Sequence, residues 1–228
     1  MAYTLYQNPH TPIRGLLFDM DGLVMDTEVL FSRFWMEACH FYGFPMTKAQ
    51  SLQMRSLTKT AGQEKLTAFF GPTASYPVIR AKRIELMDAY IAQNGVRPKP
   101  GIFELMDYLE ANSIPAAITS SSPLPRIREY LTPFGLDTRF RALCSGRDVP
   151  NGKPAPDIYL HGAACLGLRP EDCLALEDSP TGILSAHRAG CRPVMIPDLD
   201  QPAADTISLL YAKADTLTDI ITLLLCHK

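Results

Sequence analysis

The sequence predicts an α/β fold: a doubly wound parallel sheet interrupted by an inserted α-helical domain. Three observations carry this expectation. A short apolar run within Ile13–Phe18 stops abruptly at Asp19-Met20-Asp21-Gly22, as a buried strand bounded by a turn does. From about residue 29 to 93 the apolar spacing is helical throughout, with no convincing strand. Beyond Gly101, helical stretches alternate with short apolar strands, the pattern of a parallel sheet covered by helices on both faces.

The elements follow in order. After the first strand, Leu30, Phe31, Phe34, Trp35, Ala38 and Phe41 recur at spacings of three and four, which predicts a helix over 28–42 with Gly43 as its stop. Thr60 and Gln63 fit a capping box opening a second helix through Leu66, Phe69 and Phe70, ended by Gly71-Pro72. Pro77 opens a third, with Ile79, Ile84, Leu86, Met87 and Ile91 as its apolar positions and Asn94-Gly95 as its close. The segment 96–101, rich in Pro and Gly, reads as a linker. Helices are then expected over 102–111, 126–134, 156–166 and 182–189, and strands over 114–119, 142–144, 173–176 and 193–196. The expected domains are a core of residues 1–28 and 97–228 and a helical insert of residues 29–96. In open parallel sheets ligands bind outside the carboxyl ends of the strands, so an insert following the first strand is placed to act as a cap.

Composition narrows the function classes. With 22 basic and 24 acidic residues the net charge is -2, which excludes the strongly basic footprint of a nucleic-acid binder. A hydrophobic fraction of 46% supplies a core without any staple. The six cysteines show no CxxC spacing and no zinc-like cluster with histidine, so they read as free thiols of a reducing compartment. The first fifteen residues lack a basic-then-apolar leader pattern, and no apolar run approaches the roughly 20 residues of a membrane span. A soluble cytoplasmic protein, free of membrane and nucleic-acid partners, is expected.

Four segments carry chemistry. Asp19, Asp21 and Asp26 crowd the end of the first strand. Like charges so close repel unless a cation or hydrogen bonds compensate, and a hard divalent cation such as Mg2+ answers that need. A strand end closed by an Asx turn is the plainer alternative. Thr119-Ser120-Ser121-Ser122 sets hydroxyls and backbone N–H groups before a helix, suited to phosphate oxygens or to simple capping. Lys153 lies between Gly152 and two prolines that fix its direction, as a phosphate-neutralising cation or a solvated loop lysine. Glu177 and Asp178 end another strand, where they either complete a metal site with Asp19 and Asp21 or cap the next helix. Their joint occurrence decides: all four segments fall at strand ends that a doubly wound sheet brings together.

Taken together, DxDGxxxDTE from Asp19, GKPxPD from Gly152 and LEDSxxGxxxAxxAG from Leu176 resemble the motifs of the haloacid dehalogenase superfamily, in particular its β-phosphoglucomutase-like branch with a helical cap. The resemblance spans nearly the whole chain and implies a Rossmann-like core. It implies that Asp19 is a nucleophile forming an aspartyl-phosphate and that Asp21 protonates the leaving alcohol and then activates water. Ser120, or in its place Thr119, holds a phosphate oxygen. Lys153 holds both Asp19 and the phosphate. Mg2+ is bound by Asp19, the Asp21 carbonyl and Asp178, with Glu177 assisting through water.

The implied reaction is hydrolysis of a small phosphate ester, a sugar phosphate or similar, by a monomer or weak homodimer. Mutases of the branch carry a histidine shortly after the first motif, and Phe31 stands at the expected place, which argues for phosphatase over phosphosugar mutase. Dehalogenases lack an acid at the Asp21 position. A phosphonate hydrolase needs a Schiff-base lysine from the insert, where Lys48, Lys59 and Lys65 occur. A non-catalytic phosphate binder of this scaffold is expected to lose one of the two acids, and both are present.

Overall fold

In the computed structural model the described residues are 3–7, 12–55, 57–198 and 201–226; part of the N-terminal stretch discussed above lies outside them. The chain divides into two compact units, one joining Met1–Met25 to Pro98–Lys228, the other Asp26–Arg97.

The first unit begins with β1 (Tyr3–Leu5) and the fully buried β2 (Gly15–Phe18). The chain then builds the second unit from four helices: α1 (Glu28–Phe41), α2 (Lys48–Leu52), α3 (Lys59–Phe70) and α4 (Tyr76–Asn94). Trp35, Ala38, Met46, Leu66, Tyr76 and Ile79 pack into its own core. Two details differ from expectation. The capping box belongs to Thr47 and Gln50, which open the unforeseen short helix α2. Helix α3 is instead capped by Thr58, and Gln63 turns away to accept from the Tyr76 N–H and donate to the Ala74 carbonyl. Thr60-Ala61-Gly62-Gln63 has the right letters, but the tertiary contact outcompetes the local one.

Returning to the first unit, the chain alternates: α5 (Ile102–Ala111), β3 (Ala116–Ser120), α6 (Leu124–Leu131), β4 (Ala142–Ser145), α7 (Asp157–Leu166), β5 (Cys173–Glu177), α8 (Pro180–Arg188), β6 (Arg192–Met195), α9 (Ala204–Ile207), β7 (Ala212–Ala214) and α10 (Asp219–Leu225). The strands form one sheet of order β1-β7-β6-β5-β2-β3-β4. All neighbours are parallel except β1, which runs antiparallel to β7 at the edge, so the expected parallel sheet gains one antiparallel strand. Leu17, Ala117 and Ala175 face α7 and α8 in one buried cluster. By strand alternation Leu16, Phe18, Ile118, Leu174 and Leu176, all buried, fill the other face.

This order reverses at β2. From there the chain winds outward through β3 and β4, then crosses back to β5 and winds the other way. Such a switch point leaves a crevice at the carboxyl ends of β2 and β5, where loops diverge. Phe18 pairs with both Ile118 and Leu176, so Asp19, Thr119 and Glu177 lie at one level at the carboxyl ends of their strands.

Candidate active site

Asp19 follows the last residue of β2 and is still tied to the sheet, its N–H donating to the Leu176 carbonyl at 3.0 Å. The chain then doubles back: the Gly22 N–H reaches the Met25 carbonyl, and Val24 and Met25 N–H groups both reach the Met20 carbonyl. Gly22 takes φ +86°, a left-handed conformation that glycine adopts without steric cost. This turn sets Asp21 beside Ser122, whose hydroxyl donates to the Asp21 carboxylate at 3.0 Å.

Lys153 comes from the loop between β4 and α7. Its ammonium donates to Asp19 Oδ1 at 2.5 Å and to Glu177 Oε1 at 2.6 Å. The loop is held from α8, where the Ser185 hydroxyl donates to the Ala155 carbonyl and Arg188 to the Pro154 carbonyl. Tyr159, fully buried on α7, donates its hydroxyl to the same Glu177 oxygen at 2.6 Å, and its ring lies 5.0 Å from the ammonium. The other Glu177 oxygen accepts from the Ser179 hydroxyl at 3.1 Å. Both Glu177 oxygens therefore meet protein donors, and the residue fixes Lys153 in place.

Electrostatics follow from burial. Two buried carboxylates, Asp19 and Glu177, share one ammonium, with Asp21 and Asp178 nearby. Burial pushes the Asp19 carboxyl up to about 8; Lys153 opposes this, while Glu177 and Asp21 add to it. For Lys153, burial favours the neutral amine, but the two carboxylates outweigh it and raise its pKa, so it stays charged. The negative charge left over asks for a further cation. Asp19, Glu177 and Asp178 each offer a carboxylate oxygen within 4.8 Å of one another, an all-oxygen donor set that fits Mg2+.

At the second motif, strand alternation separates the two hydroxyls. Thr119 donates to the Phe18 carbonyl at 3.1 Å and packs its methyl toward Gly162, so its proton is already used. Ser120 accepts from the Ser122 N–H at 3.0 Å, which leaves its own proton to give. The hydrogen bonds thus favour Ser120 over Thr119. Ser145 at the end of β4 supports this loop, donating to the Ser122 carbonyl at 2.9 Å.

The sequence offers Ser122 only as one of a run of hydroxyls before a helix and Ser179 only as a helix cap, which it is, accepting from the Gly182 N–H; it gives no part to Tyr159. Ser122 stood within the serine run without a partner to single it out, and Tyr159 falls on the apolar stripe of its helix.

A family model described as haloacid dehalogenase-like hydrolase matches residues 16–196, most of the chain and all of these strand ends. The chain belongs to the haloacid dehalogenase-like hydrolases. Among the relatives of this hydrolase, hexitol phosphatase A of Escherichia coli is 30% identical over 90% of this chain and 93% of its own length. A probable pseudouridine-5'-phosphatase of Drosophila melanogaster is 31% identical over 80% of each chain. The solved structure of a mutant CbbY from Rhodobacter sphaeroides, in complex with xylulose-(1,5)bisphosphate, superposes on the hydrolase with a TM-score of 0.71 at 26% identity, covering 90% of this chain and 95% of that one.

Proposed function

We propose that the chain is a magnesium-dependent phosphatase that hydrolyses a small phosphomonoester, a sugar phosphate or similar, through an aspartyl-phosphate on Asp19. The observation that carries this is the pairing of Asp19 with Lys153 at the sheet's switch point, with Asp21 two residues further on and hydrogen-bonded by Ser122. The phosphatase names of the relatives support the same reading.

A carboxylate oxygen of Asp19 attacks phosphorus, and the bond from phosphorus to the ester oxygen breaks. Asp21, protonated at that stage, gives its proton to the departing alkoxide. As a carboxylate it then takes a proton from water, whose oxygen attacks the same phosphorus. The acyl-phosphate bond breaks, inorganic phosphate leaves and Asp19 is regenerated. Ser122 orients Asp21 for both transfers. Lys153 and the Ser120 hydroxyl meet the equatorial oxygens, where charge spreads in the transition state. Asp19, the Asp21 carbonyl and Asp178, with Glu177 assisting, would hold magnesium, whose charge would further neutralise the phosphoryl oxygens.

The helical unit, read as a cap, is assigned substrate selection. Lys48 and Lys59 on it are exposed and so lack the desolvation that activates a Schiff-base lysine, and the half-buried Lys65 donates to Gln53 Oε1 at 3.3 Å, which argues against phosphonate cleavage. Among the described residues no helix is long and apolar enough to cross a membrane, and the six free cysteines fit a reducing compartment such as the cytoplasm.

The test is incubation with Mg2+ and a panel of hexitol, hexose and nucleoside monophosphates. Release of inorganic phosphate from at least one is expected. Conversion of a hexose 1-phosphate to its 6-phosphate without free phosphate overturns the reading in favour of a mutase.

A further inference from the structure

Cys144 stands on a different element from His161 and Cys165, and all three lie outside every motif of the catalytic site. The fold gathers them. His161 and Cys165 lie four residues apart on one face of α7, and the His161 Nε2 is 3.8 Å from the Cys165 sulfur. Cys144 is buried on β4, paired in register with Thr119 of β3. Helix α7 reaches the strands closely because Gly162 has no side chain; a Cβ there would lie 2.5 Å from the Thr119 methyl. One ligand atom from each of the three residues lies within 4.8 Å of the others.

We propose that Cys144, His161 and Cys165 form a site for a thiophilic d10 cation of the zinc type, sharing no residue with the Mg2+ carboxylates. Zinc binds thiolate sulfur at about 2.3 Å and imidazole nitrogen at about 2.0–2.1 Å, which puts tetrahedral ligands roughly 3.5–4 Å apart. The present spacing is close to that, 3.8 Å between His161 and Cys165 and within 4.8 Å throughout. Two thiols and an imidazole are a soft donor set that Mg2+ does not contest. The graded exposure also suits a site: Cys144 is buried, His161 half-buried and Cys165 exposed, so an ion enters from the Cys165 side and keeps water as its fourth ligand. The competing account is a bare contact among the two thiols and the imidazole, which needs no metal.

Cobalt(II) separates these accounts, because thiolate-to-cobalt charge transfer absorbs in the near ultraviolet and carboxylate sites give no such band. The whole protein is titrated with Co2+ in the presence of excess Mg2+. The band is expected to rise to one equivalent and to bleach on adding Zn2+. His161→Ala and Cys165→Ser, both outside the buried core, are expected to weaken Co2+ binding at least about tenfold. Unchanged circular dichroism verifies that each variant is folded. Cys226→Ser, removing the other exposed thiol, is expected to leave the band untouched. No band at one equivalent, a band that survives Cys165→Ser at wild-type affinity, or one lost in Cys226→Ser overturns the site.

Discussion

Burial raises the Asp19 carboxyl from 3.8 to about 8, against the pull of Lys153. The sign of the resulting pH dependence is fixed by linkage. The folded chain keeps a proton that the unfolded chain loses near 3.8, so the stability from this group is full below that pH and disappears as pH rises through about 8. Asp19→Asn has no such proton to lose. Melting both proteins in EDTA across this window isolates the effect: the variant is expected to gain on wild type steadily as pH rises, and a constant difference refutes it. The same substitution removes the nucleophile, so turnover with Mg2+ is expected below about one thousandth of wild type while the fold persists. Near-wild-type activity would take Asp19 out of its assigned role. At this scale Asp19, Asp21 and Asp178 were legible as candidates because acids at the end of an apolar run conflict with local preference, and Lys153 because a glycine and two prolines flank it. Tyr159 conflicts with nothing. Its hydroxyl finds Glu177 only after α7 has docked, so no reading of the sequence separates it from ordinary core.

Helix α8 starts directly over Glu177, and this close approach depends on Gly182. A Cβ at that position would lie 1.8 Å from Glu177 Oε1, the oxygen that receives both Lys153 and Tyr159. Alanine favours a helix interior by about 1 kcal/mol over glycine. Overpacking a fixed buried group costs about 1–3 kcal/mol, so the clash dominates. Gly182→Ala is therefore expected to lower stability by up to about 2 kcal/mol net and, by displacing Glu177 and with it Lys153, to cut kcat about 10- to 100-fold. Gly152→Ala is the spatial control: it lies beside Lys153 in sequence but its Cβ meets nothing within 4 Å, and activity within about twofold of wild type is expected. Equal effects of the two substitutions would refute the packing argument. Elements differ in legibility for a related reason. Helix α5 and strands β2 and β5 carry periodic or uninterrupted apolar runs. Strands β1 and β7 have three residues each, too few to show a period, and their pairing partners are more than 200 positions apart, as Tyr3 and Ala214 show. The cluster of Cys144, His161 and Cys165 escaped the cysteine spacings for the same reason: a strand and a helix supply it, and only packing relates them.

At the scale of the whole molecule, the charge and the apolar cores are distributed unequally. Asp19, Asp21, Glu177 and Asp178 all belong to the unit built from Met1–Met25 and Pro98–Lys228. The helical unit contributes none of them and has its own core around Trp35, Leu66 and Tyr76. The α/β class was legible from the alternation of elements, since each helix–strand repeat is local. Substrate choice, which the proposed function assigns to the helical unit, was not, because the sequence offers no fixed spacing for the side chains that would make it. The same distribution makes a thermodynamic prediction. A ligand that binds only the folded form at 100 times its dissociation constant stabilises it by about 2.7 kcal/mol. In a unit of this size each kcal/mol moves the midpoint by about 2–4 °C, so Mg2+ should raise the α/β unit's transition by about 5–10 °C. Separate cores predict a calorimetric trace that is not two-state, with the Mg2+-sensitive transition moving and the helical unit's transition staying in place. Asp178→Asn should then abolish the Mg2+ shift without merging the transitions. A single two-state peak that Mg2+ moves as one would show that the two cores unfold together.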